Sequence, residues 1–201
     1  SKADLTDSIR EASLQEMFHS LEVAAELGCQ KVVLHPGHIS GMGIYVKETA
    51  LAHANNSLAA IIDHAQTLGL CVCLENMFPN CRAFVEPADF VEILERFPDL
   101  MLTLDTGHAN IANPGGRRIL EFIEKFGPRI GHLHVSDNFG ERDDHISLGT
   151  GKIDFLKIVN ALKQCKYDDT ATFEIFSEDR RELKKSREKF DDILKKTELD
   201  C

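Results

Sequence analysis

The chain has 201 residues, 43% apolar and 28% charged, which suits one globular domain with its own core. No apolar stretch nears the roughly 20 residues of a membrane span, and the opening Ser1-Lys2-Ala3-Asp4-Leu5 has no signal-peptide character. A net charge of −10, from 33 acidic and 23 basic residues, argues against a general binder of phosphate backbones.

The pattern predicts a helix over 8–27, with Leu14, Phe18, Leu21 and Ala25 on one face and Gly28 behind it as a C-terminal stop. A strand over 31–35, a loop from Pro36 to Lys47 and a helix over 48–68 follow. A second strand spans 70–75. The next helix opens near Pro87 and stops before Pro98. A third strand spans 100–105, Pro114-Gly115-Gly116 opens a helix, and Gly127-Pro128 ends it. A fourth strand spans 130–135. A long loop, 136–152, leads to a helix capped by Asp154, then to a fifth strand at 171–175. A charged helix over 178–196 closes the chain, with Leu183, Phe190, Ile193 and Leu194 as its core contacts. The strand middles lack polar alternation, as expected when both faces are covered.

Each strand ends in a metal-type ligand: His35, Glu75, Asp105, His134 and Glu174. The intervals of about 30–40 residues are those of βα units. In a parallel barrel the carboxyl ends of the strands converge on one rim, where catalytic groups gather. An open doubly wound sheet also binds ligands at strand ends, but at a single switch point. Ligands on every strand favour the barrel. Asp105-Thr106-Gly107-His108 offers two ligands from one turn. His132, one layer below His134, reads as a hydrogen-bonded core histidine. The loop after the fourth strand adds Asp143-Asp144-His145 and the Gly149-Thr150-Gly151 turn. Carboxylates and imidazoles together suit divalent Zn, Mn or Co, with Mg also compatible. Cysteines at 29, 71, 73, 81, 165 and 201 form no C-x-x-C pair and suit a reducing cytoplasm.

The ordered set His35-Pro36-Gly37, Leu74-Glu75-Asn76, Leu104-Asp105-Thr106-Gly107-His108, His132-Leu133-His134-Val135-Ser136-Asp137, Asp143-Asp144-His145 and Phe173-Glu174 resembles the xylose-isomerase-like TIM-barrel superfamily. That superfamily holds sugar and sugar-phosphate isomerases and epimerases together with endonuclease IV. The resemblance implies an α/β fold, a parallel (β/α) TIM barrel with five of eight βα units in this chain, forming a single partial-barrel domain over 1–201. The first three units of the family barrel are missing, so a fragment, a truncated gene model or a further N-terminal portion is expected. By resemblance, Glu75, Asp105, His134 and Glu174 hold one metal ion. His35 matches a ligand of an additional ion in endonuclease IV, and His108, Asp143 and His145 match a trio that holds a further one.

The favoured expectation is a metal-dependent isomerase or epimerase of a sugar or sugar phosphate. Glu75 and Glu174 exchange a proton next to a carbonyl, while His108 and His35 contact the substrate. The alternative is an abasic-site phosphodiesterase with clustered zinc, against which the acidic charge weighs. A third expectation is an inactive barrel fragment. A small-molecule partner, no membrane, nucleic acid disfavoured and self-association at an open sheet edge complete the reading.

Overall fold

The computed structural model describes residues 1–199. By internal contacts the chain divides into two compact units, Ser1–Met101 and the residues from Leu102 onward.

The first unit opens with helix α1 (Asp7–Glu26), and Gly28 leaves it at φ 75°, the left-handed region that a glycine enters at no cost. Strand β1 (Lys31–Leu34) runs into a 3-10 turn, Gly41–Val46, and helix α2 (Lys47–Thr67). Strand β2 (Cys71–Glu75), a 3-10 turn at Pro87–Phe90 and helix α3 (Val91–Arg96) follow. The buried face of α2 repeats at helical spacing through Ala50, Ala54, Leu58, Ile61, Ile62 and Ala65, and it carries α1.

Strand β3 (Met101–Asp105) leads into the second unit. A five-residue helix, α4 (Thr106–Asn110), stands where the sequence was read as a plain turn. Helix α5 (Arg117–Phe126) starts after Gly116 and buries Ile119, Phe122, Ile123 and Phe126. Strand β4 (Ile130–Val135) and helix α6 (Phe155–Gln164) come next, with Asp154 capping α6 as expected. Strand β5 (Thr170–Phe173) and helix α7 (Arg181–Leu199) end the description. Fully buried side chains such as Phe122, Ile119 and Ile158 each contribute about 1.5–3 kcal/mol.

Two expectations need correction. Leu183 is 45% exposed, not a core contact. The buried positions of α7 include Ser186, Phe190 and Thr197, and Phe190 meets Phe173 edge-on at 5.6 Å. Nor are all strands covered. β2, β3 and β4 are almost wholly buried, but β1 exposes two of its four residues and β5 three of its four.

The sheet order is β1-β2-β3-β4-β5 and every described pairing is parallel. β1 therefore lies at one end of the order, as a barrel running in sequence order requires. A doubly wound sheet would flank it on both sides.

Candidate metal centre

In the first unit, Leu34 pairs with Leu74 in parallel register, so His35 and Glu75 leave their strands side by side. His35 Nε2 stands 2.8 Å from Glu75 Oε2. The carboxylate is buried, whereas the imidazole is more than half exposed.

In the second unit, register is set by an irregularity. Leu102 pairs with Ile130, but Thr103 pairs with His132, so Gly131 is an extra residue on β4. From there Asp105 lies opposite His134. Were Gly131 paired in continuous register instead, Asp105 would face Leu133. The ladder continues past β5, where Glu174 N donates to Val135 O at 3.1 Å, which brings Glu174 beside His134.

His134 Nδ1 then faces two carboxylates, Glu174 Oε1 at 3.4 Å and Asp105 Oδ2 at 3.6 Å. Ordinary N–H···O hydrogen bonds are shorter, at about 2.7–3.2 Å. Two ligands each about 2.0–2.1 Å from a tetrahedral ion stand roughly 3.3–3.5 Å apart. The 3.4 Å spacing falls within that range and the 3.6 Å spacing lies just beyond it. Asp105 is oriented by its other oxygen, which accepts the His108 amide at 2.7 Å and caps α4. His132 lies against His134 edge-on at 5.2 Å, and its two ring nitrogens meet Thr170 Oγ1 and Thr172 Oγ1 at 2.7 Å and 3.0 Å. It is hydrogen-bonded as expected, but only half-buried. Asp105 and His134, both buried, are a carboxylate and an imidazole of this unit that could serve as metal ligands.

A second cluster adjoins this one within the same unit. Asp143 Oδ2 meets His145 Nε2 at 3.0 Å and His108 Nε2 at 3.2 Å. Asp143 Oδ1 is buried with no hydrogen-bond partner among the described residues. His145 is held at φ 47°, a strained conformation for a non-glycine residue. Its Nδ1 meets Glu174 O at 3.0 Å, its carbonyl accepts Phe176 N at 3.0 Å, and the Phe176 ring stacks on it at 4.1 Å.

Burial alone would raise the Asp143 carboxyl, but the hydrogen bonds and charges of His108 and His145 outweigh it. They hold Asp143 far below the usual carboxylate range. The bond to Asp143 raises His145 above its ordinary value, against the opposing effect of burial.

Several residues that build the site were not singled out in the sequence. Asn138 donates to Gly107 O at 2.8 Å and accepts from Asn110 Nδ2 at 2.9 Å, and Thr106 Oγ1 donates to Ser136 O at 2.9 Å. These buried bonds tie α4 to the segment after β4 and keep His108 next to Asp143. Asp137, fully buried, accepts amides from Asn138, Gly149, Gly151 and Ile153 at 2.8–3.2 Å. It thereby folds the 138–153 loop back towards β4. The sequence signal for this is the acid that closes the His132–Asp137 motif ahead of a glycine-rich turn.

Residues 3–196 match the family described as xylose isomerase-like TIM barrel. The chain belongs to that family. Its five parallel strands are part of such a barrel. An uncharacterized protein of Methanocaldococcus jannaschii is 32% identical over 92% of this chain and 64% of its own length. An L-ribulose 3-epimerase of Methylomonas sp. is 31% identical over 68% of this chain and 47% of its own length. A probable endonuclease 4 of Mycobacterium leprae is 27% identical over 80% and 64%. The chain thus spans less than two thirds of these family relatives. The crystal structure of a D-tagatose 3-epimerase-like protein matches with TM-score 0.89 and 29% identity, over 99% of this chain and 74% of that one.

Proposed function

We propose that this family member is a divalent-metal-dependent isomerase or epimerase of sugars. Glu75, Asp105, His134 and Glu174 would hold the ion, and Zn, Mn and Co all suit that donor set. The observation that carries the reading is the pair of carboxylates facing His134 Nδ1 at ligand spacing. The likeness to a D-tagatose 3-epimerase-like protein supports it.

When bound, the ion would supply Lewis-acid stabilisation of charge on a substrate carbonyl oxygen. The chain's own residues do the rest. The Glu174 carboxylate takes the proton from the carbon next to the carbonyl, and Glu75 delivers one to the same carbon from the other side. Positioned acid–base groups of this kind typically contribute about 10²–10⁴ in rate. His108 and His35 hold substrate hydroxyls. Asp143 orients His108 through its 3.2 Å contact.

A second reading, an abasic-site phosphodiesterase, is favoured by one observation, the meeting of His108 and His145 on Asp143. In it the trio would hold a further ion. The net charge of −10 weighs against a DNA substrate.

The test is deuterium exchange from solvent into free ketoses by metal-loaded protein, followed by mass spectrometry. Exchange should occur with Mn or Co and be lost in Glu174→Gln. Efficient, EDTA-sensitive nicking of an abasic duplex without any exchange would overturn the ranking.

A further inference from the structure

The layer directly below His134 is polar. Residues two apart on a strand share a face, and the register sets His132 between Thr103 of β3 and Thr170 of β5. Thr172 lies one step up, opposite His134. A layer that only filled a core would carry apolar side chains, as Leu104 and Leu133 do on the other face.

His132 joins β4 to β5 twice. Its Nδ1 meets Thr170 Oγ1 at 2.7 Å, and its Nε2 meets Thr172 Oγ1 at 3.0 Å. A neutral imidazole offers one donor and one acceptor, and a hydroxyl can be either, so both bonds form in either tautomer. The ring therefore lies along β5 and spans two successive residues of one face. Glu174 is the next residue of that face.

β5 depends on such a tie. It has four residues, exposes three of them and stands last in the sheet order, with β4 as its one described partner strand. A short terminal strand of this kind opens locally at low cost. Glu174 directly follows it, and its 3.4 Å approach to His134 hangs on that ladder. His132 also stands edge-on beneath the His134 ring, with centroids 5.2 Å apart and planes at 87°. One side chain thus supports both members of the pair.

We propose that His132 is a positioning residue: it sets the spacing of His134 and Glu174 and, through it, how tightly the centre holds its ion. This rests on the reading of His134 and Glu174 as metal ligands and adds a residue that acts through them.

The test compares the full-length protein with three variants. His132→Phe keeps a ring and removes both bonds. Thr172→Val removes one bond at nearly constant shape and keeps a good strand former, so it folds even if His132→Phe does not. His132→Gln can bridge hydroxyls again and serves as the rescue. In metal-free protein, NMR should show the Glu174 amide exchanging about tenfold faster in His132→Phe, as two lost hydrogen bonds imply, with β3 amides unchanged. Thr172→Val should show a smaller increase. Cobalt(II), titrated through its visible bands, should bind His132→Phe about 10–100-fold more weakly, with shifted bands, and His132→Gln should recover most of the loss. A side chain that only filled space would alter overall stability and leave cobalt affinity in the folded protein alone. Parent-like cobalt affinity or parent-like Glu174 exchange in His132→Phe overturns the proposal, and Thr172→Val decides if that variant does not fold. If the parent itself binds no cobalt, the metal reading fails and the exchange rates alone decide this one.

Discussion

Asp143 gathers two imidazoles on one carboxylate oxygen, and this has a pH signature in the metal-free protein. Its pKa is lower folded than unfolded, so its stabilisation is present above the unfolded value near 4 and is lost as pH falls through the folded one. His145 runs the other way. Its raised pKa gives stabilisation that is complete below the unfolded value near 6.5 and is lost as pH rises through the folded one. The pair should therefore contribute most between about pH 4 and pH 6.5, with a decline above that window. Asp143→Asn should flatten the decline. Urea midpoints measured across pH check this, and identical profiles for the variant and the parent would refute the pairing. The trio's residue types were legible because Asp143 and His145 lie two apart in a loop. Its closure on His108 was not, because that depends on the buried amides of Asn110 and Asn138.

At the scale of elements, the strands were easy to read and α4 was not. Runs such as Met101-Leu102-Thr103-Leu104-Asp105 combine continuous apolarity with a polar end, and only a buried strand needs both. Thr106-Gly107-His108-Ala109-Asn110 has no apolar period, and its helix is set by the Asp105 cap and by tertiary bonds. The buried face of α7 was misread for a related reason, since Ser186 and Thr197 occupy it and carry no apolar signal. Gly107 looks like a turn glycine, yet its role is spatial. A Cβ there would lie 2.5 Å from Ser136 Oγ. Gly107→Ala should cost about 1–3 kcal/mol by overpacking. Adding Ser136→Ala removes the obstructing hydroxyl, so the double variant should recover part of the loss. The two sites should couple by about 0.5–3 kcal/mol in a urea cycle. Strict additivity would show that the clash is relieved elsewhere.

For the molecule as a whole, ligand binding should be visible as stability. An ion at 100 times its Kd adds about 2.7 kcal/mol to a protein that binds it only when folded. Mn, Co or Zn should accordingly raise Tm, EDTA should reverse the gain, and Asp105→Asn should shrink it. A Tm indifferent to all three metals would leave the centre without its ion. No helix among the described residues is long and apolar enough to cross a membrane. The barrel class was legible at this scale because a polar residue recurs at every strand end. The choice of substrate was not, because the pattern of strand-end ligands does not record it.

The extra residue at Gly131 makes β4 sensitive to counting in a way that its neighbours are not. Side chains along a strand alternate between faces, so the bulge acts as a reading frame for everything after it. Substitutions in Ile130–Val135 leave that frame intact. A one-residue insertion between Gly131 and His132, with the bulge kept at one residue, would shift it, set Leu133 beside Asp105 and turn both imidazoles to the opposite face. Lineages carrying this site should therefore keep the length of the strand fixed, and any library built on it should retain His132 and His134 and vary the other letters, never their number.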